Sequence, residues 1–176
     1  MIKKESNIIP FAMEYGAVLS LFLISKFGIT VLSSTYLLLN ILNIVMLCMI
    51  PWIVYKYVKK YKSEYAGGDF SFGHAFSVAF MIIVFASLPE SLAQFIYFQF
   101  INPDFISSQM SSVTDMLTKI NETEKSGTLS QLVNTFTEAP MPTPAEMVFQ
   151  NIFNNLYIGG IISILVAQFT KSKKIK

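Results

Sequence analysis

A lysine and a glutamate stand inside long apolar runs of this chain, Lys26 in residues 10–32 and Glu90 in residues 72–101. An ionised side chain at the centre of a membrane span costs about 2.5–3.5 kcal/mol even on insertion scales, so each of these needs a partner or a task. Lys26 lies about 24 Å and Glu90 about 27 Å along its run at 1.5 Å per residue, so two helices running the same way bring them to a similar depth. Amides gather in the two remaining apolar runs: Asn40 and Asn43 in residues 35–58, and Asn151, Asn154 and Asn155 in residues 146–169. These seven residues form a candidate polar layer to which all four runs contribute. As a functional site it would hold a substrate or an ion. As a structural feature it would be a buried ion pair with hydrogen-bonded amides gluing the helices, or Lys26 would snorkel to the interface. Both readings stand on the sequence.

Other chemistry finds less support. Glu14 and His74 each lie near the start of an apolar run, and a carboxylate–imidazole pair there would respond to pH; interfacial residues without that role are the plainer reading. His74 is the only histidine and Cys48 the only cysteine, so neither a converging metal-ligand set nor an internal disulfide is expected. No Gly-x-Ser-x-Gly elbow, His-Glu-x-x-His pair or phosphate-binding Gly-x-x-x-x-Gly-Lys loop occurs. The expectation is a protein that is not an enzyme and carries no cofactor or metal.

These side chains are carried by elements whose character follows from composition. Hydrophobic residues make up 53% of the 176 and charged residues 14%, well below the roughly 25% charged of an average soluble domain. Each of the four runs reaches the roughly 20 residues needed to cross about 30 Å of hydrocarbon as a helix. Backbone groups in lipid must bond internally, and none of the runs alternates as a barrel strand would. The first run is too long for a signal-peptide core, holds Glu14 and Lys26, and shows no small-x-small cleavage site. The predicted fold is all-α: a polytopic membrane protein of four transmembrane helices forming a single membrane domain over residues 1–176. A tight hairpin at Ser33 and Ser34 joins the first two.

Lysine placement orients the spans. All thirteen basic residues are lysine. Ten of them, Lys3, Lys4, Lys56, Lys59, Lys60, Lys62, Lys171, Lys173, Lys174 and Lys176, fall on one side of a four-span chain. Cytoplasmic flanks are enriched in lysine, so both termini and the middle loop, residues 59–71, are expected in the cytoplasm. Trp52, Tyr55, Tyr57, Tyr61 and Tyr65 mark the inner interface. Net charge of +2 is too small to indicate nucleic acid as a partner. The expected partners are the lipid bilayer and a second copy or another membrane protein.

Residues 102–145, between the third and fourth spans, form the one substantial aqueous segment, on the periplasmic side in this orientation. Asn102-Pro103-Asp104 reads as a helix start with Asn102 as N-cap. Phe105, Met110, Val113, Met116, Leu117 and Ile120 fall on one face of an amphipathic helix, and Leu129, Leu132, Val133 and Phe136 on a second. Thr143-Pro144-Ala145-Glu146 has the spacing of a capping box opening the fourth span. Small residues recur every fourth position at Ala12, Gly16 and Ser20, and at Gly159, Ser163 and Ala167. Such faces let helix backbones approach closely, either within the chain or between copies, and the two helices that carry them are expected to pack together.

Three stretches carry a resemblance. Gly67-Gly68-Asp69-Phe70-Ser71-Phe72-Gly73-His74-Ala75-Phe76 precedes the third span, and Phe100-Ile101-Asn102-Pro103-Asp104-Phe105 follows it. Gly159-Gly160-Ile161-Ile162-Ser163 lies in the fourth, with the lysine tail after it. In order and spacing these resemble the domain-of-unknown-function family numbered 4199, small four-helix inner-membrane proteins of Gram-negative bacteria. The resemblance implies the architecture and a bacterial inner-membrane location, and no catalytic residue. Members often carry Glu or Gln at the position of His74, which counts against an essential histidine. Two functional classes follow from the whole: a non-catalytic scaffold, modulator or sensor, or a component of a small oligomeric transporter or channel built on the polar layer.

Overall fold

The computed structural model describes residues 8–33, 37–65, 70–124 and 141–172. Among them are five α-helices and no strand: α1 (Ile8–Ser33), α2 (Leu37–Tyr65), α3 (Phe72–Ile96), α4 (Phe105–Glu124) and α5 (Pro144–Thr170). A π-helical turn, Tyr97–Ile101, continues α3. Four helices are long and apolar enough to cross a membrane: α1, α2, α3 with its π-helical extension, and α5. The chain divides into two compact units, Met1–Gln94 with Phe149–Lys176, and Phe95–Val148.

In the first unit α3 is the central helix. Half of its most apolar window is buried, against 11% for α2. Its buried residues run from Ala75 through Val78, Ala79, Ile82, Ile83 and Ala86 to Gln94. Gly16 of α1 faces α3 so tightly that a Cβ there would lie 2.6 Å from Phe85 Cβ and 3.0 Å from the Ile82 carbonyl oxygen. Gly159 of α5 meets α3 as well, with Ile83 Cγ2 2.6 Å from where its Cβ would stand. At these glycines the two small-residue faces meet α3, where the sequence reading had paired them with each other. The reason is that α3 presents a broad buried surface on more than one side, so each small face finds its close approach there.

Contacts at the ends set the directions. Phe11 near the start of α1 packs edge-on against Tyr61 near the end of α2, with ring centroids 5.0 Å apart. At the opposite end Asn43 Nδ2 of α2 donates to Thr30 Oγ1 of α1 at 2.9 Å. The Lys62 ammonium donates to the Thr170 carbonyl at 2.7 Å, satisfying an orphan acceptor at the end of α5. The Ser172 N–H donates to the Phe70 carbonyl at 2.8 Å, and the Phe70 N–H donates back to Ser172 Oγ at 3.2 Å. Helices α1, α2, α3 and α5 therefore alternate up and down, with the start of α1 and the end of α5 at the same end of the unit.

The helix α2 runs to Tyr65, six residues past the start of the loop read from sequence. Lys, Glu and Tyr continue a helix readily, Lys60 and Glu64 pair at 3.8 Å one turn apart, and Tyr61 is fully buried. Tyr61 stacks on Tyr65 at 5.1 Å and meets Phe70 at 6.1 Å. The burial of one aromatic face carries the helix past the lysines that hydropathy alone read as its end. Residues 34–36, where the hairpin turns, lie outside the described residues.

In the second unit the Asn102 N–H donates to the Tyr97 carbonyl at 2.9 Å, closing the π-type turn. The Asn102 side chain donates to the Tyr97 hydroxyl at 3.3 Å. It therefore does not cap α4: the helix begins at Phe105, and the Asp104 carbonyl accepts its early N–H, from Ser108 at 2.9 Å. The inward face of α4 also differs in register. Ile106 is buried and Met116 is exposed, so the face runs through Ile106, Met110, Leu117 and Ile120. Phe105, Ile106, Met110 and Val113 line an apolar cavity of about 120 Å³ with Pro142 and Met147. The capping box is present. Glu146 Oε2 accepts from the Thr143 N–H at 2.7 Å and the Thr143 hydroxyl at 2.9 Å, and the Glu146 N–H points back at Thr143 Oγ1 at 3.3 Å. The second amphipathic stretch, residues 129–136, lies outside the described residues.

Candidate functional site

Each candidate residue is placed by the face its helix buries. On α3 the residues Ser87, Glu90, Ser91 and Gln94 are all buried, and their i, i+3, i+4, i+7 spacing puts them on one side of the helix. On α5 the buried stripe through Gly159, Ser163 and Ala167 extends backwards at four-residue steps to Asn155 and Asn151. The two stripes meet at Glu90. Its Oε2 accepts from Asn155 Nδ2 at 2.8 Å and its Oε1 from Gln94 Nε2 at 3.2 Å. A carboxylate accepts and cannot donate, so both amides turn their nitrogens toward it. Glu90 is 6% exposed, and these bonds replace part of the solvation it loses.

Lys26 lies on the packed side of α1, three residues beyond Leu23, and is half-buried. Counted from Ile8 and Phe72, where their helices begin, Lys26 and Glu90 occupy the same step of two parallel helices. The lysine acts electrostatically on Glu90. It does not touch it: no ion pair within 4 Å joins Lys26 to Glu90, as one does Lys60 to Glu64. Equal counts do not make equal heights, since Gly16 of α1 already faces Ile82 to Ala86 of α3, and the groups that Glu90 touches are the amides of Asn155 and Gln94.

The other amides separate. Asn43 and Asn40 tie the far end of the α1–α2 hairpin, Asn43 through Thr30 and Asn40 through the Ser33 carbonyl at 3.4 Å. Thr30 Oγ1 in turn donates to the Lys26 carbonyl at 3.0 Å. Asn154 is exposed on the outer side of α5. Asn151 Nδ2 and Ser91 Oγ are buried with no hydrogen-bond partner, a condition that costs about 1–3 kcal/mol for each group. Of the seven residues in the proposed layer, Glu90 and Asn155 are in contact, Lys26 acts on the Glu90 charge alone and without contact, and Asn151 lies one turn along from Asn155. Gln94 and Ser91 belong to the cluster and escaped the sequence reading. Their signal was the i, i+4 spacing from Glu90 and Ser87, masked by reading α3 for charge alone.

Glu14 and His74 do not form a pair. Glu14 is exposed, and His74 Nε2 shares a hydrogen bond with the buried Tyr61 hydroxyl at 3.2 Å. The imidazole also lies 5.2 Å from the Phe70 ring. Its place is in the aromatic cluster at the end of the unit where α2 gives way to α3.

The family model described as "Protein of unknown function (DUF4199)" matches residues 14–172. The chain belongs to this family. The DUF4199 match takes in nearly all of the four spans, the polar cluster around Glu90 and the capping box at Thr143. It agrees with the resemblance carried by the stretches at residues 67–76, 100–105 and 159–163. No curated protein and no solved structure matches the chain. The DUF4199 description assigns no activity, so the chemistry rests on the site itself.

Proposed function

We propose that this DUF4199 protein is a non-catalytic protein of the bacterial inner membrane, with cytoplasmic termini, that acts as a scaffold, modulator or sensor through another membrane protein. The observation that carries the reading is the commitment of Glu90. The carboxylate buried inside the bundle accepts from Gln94 on its own helix and Asn155 on α5, an arrangement that joins helices. The separation of Asn40, Asn43 and Asn154 from that cluster further supports it, because a conduit requires polar groups that line one path.

A second reading, a small oligomeric transporter or channel component, is favoured by one observation: Ser91 Oγ and Asn151 Nδ2 are buried polar atoms without partners near the same carboxylate. Affinity capture of the intact protein from its own membrane, followed by native mass measurement, separates the two. A stoichiometric partner of different mass supports the scaffold. A closed homo-oligomer that carries a Glu90-dependent flux in vesicles replaces it with the transporter.

A further inference from the structure

One face of α2 changes character along its length. Ile41, Val45, Cys48 and Trp52 recur at three- and four-residue steps and are all exposed, so they form one continuous stripe. Lys56 and Lys59 extend the same stripe and are exposed as well. The Lys56 ammonium sits over the Trp52 ring at 3.6 Å, which holds the charge at the boundary between the apolar and the basic parts. From Ile41 to Trp52 the stripe rises about 16 Å, roughly half of a 30 Å hydrocarbon core and hence the depth of one leaflet.

We propose that the Ile41–Lys59 face of α2 is a binding site for an anionic phospholipid, its acyl chain along Ile41, Val45, Cys48 and Trp52 and its phosphodiester on Lys56 and Lys59. Charge complementarity selects this occupant over a zwitterionic lipid. The acidic groups nearby do not cancel it. Glu64 lies 3.8 Å from Lys60, so its charge is met by that lysine, and Glu14, exposed on α1, forms no ion pair with Lys56 or Lys59. Lys62 is spent on the Thr170 carbonyl. Lys56 and Lys59 are left to face outward, and an ammonium over an indole keeps N–H donors for phosphate oxygens. The proposal holds for whichever leaflet this end of α2 occupies.

The chain offers its own reporter, since Trp52 is the only tryptophan. The full-length protein, reconstituted in phosphatidylcholine vesicles with a minor fraction of brominated lipid, reads the local lipid through quenching of Trp52. Brominated phosphatidylglycerol is expected to quench as strongly as brominated phosphatidylcholine at a mole fraction lower by at least about fivefold, the weight of a single one of the two lysines at an anionic surface. In the doubly substituted Lys56→Gln, Lys59→Gln protein the two lipids should quench alike, whereas Lys171→Gln, off the stripe, should keep the preference. Equal quenching by both lipids in the unsubstituted protein overturns the site. Loss of the preference in Lys171→Gln assigns it to diffuse charge and also overturns the site. Shielding of Trp52 from both lipids places a second copy of the chain on this face instead.

Discussion

At the scale of single residues, Glu90 is held by an amide contact and influenced by a distant charge, and the two effects are separable. Asn155→Ala removes the 2.8 Å donor and is expected to cost about 1.5–3 kcal/mol of stability, the range for a hydrogen bond to a charged group. Glu90→Gln removes the charge that Asn155 and Gln94 solvate. In a double-mutant cycle by thermal unfolding in detergent, Asn155→Ala with Glu90→Gln should deviate from additivity more than Lys26→Met with Glu90→Gln, because contact partners couple most strongly. Equal deviations would mean that the lysine is as direct a partner as the amide. Glycines provide a second comparison. Gly16→Ala places a methyl against the Ile82 carbonyl and the Ala86 amide of α3, backbone atoms that cannot rotate away. It should lower stability by about 1–3 kcal/mol as an overpacking substitution. At Gly160 nothing lies within 4 Å of the added carbon, so Gly160→Ala should leave the unfolding temperature within the scatter of repeats.

At the scale of elements, α5 illustrates local and non-local control within one helix. Its start is local: Thr143 and Glu146 satisfy one another's backbone donors. Thr143→Ala should therefore cost about 1 kcal/mol and fray the first turn, seen as faster hydrogen exchange of the amides from Ala145 to Met147. Exchange confined to the end at Thr170 would refute a cap at Thr143. The end of α5 is non-local, since its last carbonyl is met by Lys62 from α2 and Ser172 clasps Phe70. The π-helical turn after α3 is likewise closed by one backbone bond, Asn102 to Tyr97, that no propensity scale anticipates.

At the scale of the whole molecule, four alternating helices bring the start of α1 and the end of α5 to one end of their unit, and under the proposed orientation the lysine asymmetry makes that end cytoplasmic. With Cys48 first replaced by alanine, single cysteines at Ser126 and Ser172 should label oppositely in intact cells, Ser126 from outside and Ser172 only after permeabilisation. Labelling of both from outside would overturn cytoplasmic termini and require a different span count. With ten of its thirteen lysines expected on one side of four spans, the chain is expected to insert in one orientation.

Sequence by itself determined the spans, their number and the capping box at Thr143, because these depend on hydropathy over about 20 residues or on partners three residues apart. Lysine counting likewise needs no structure to yield an orientation. Tertiary structure decided which faces meet. Both small-residue stripes are legible along the chain, yet nothing in either says that its partner is α3, since a four-residue spacing describes a face and not its neighbour. The same limit explains the polar site. Glu90 and Asn155 were visible as unusual residues in apolar runs, whereas Gln94 and Ser91 gain their meaning from sharing a buried side of α3. Lys26 was expected at the depth of Glu90 and forms no ion pair with it, because helical rise fixes height only along each helix's own axis, while the offset between helices, the azimuth and the distance between axes come from packing.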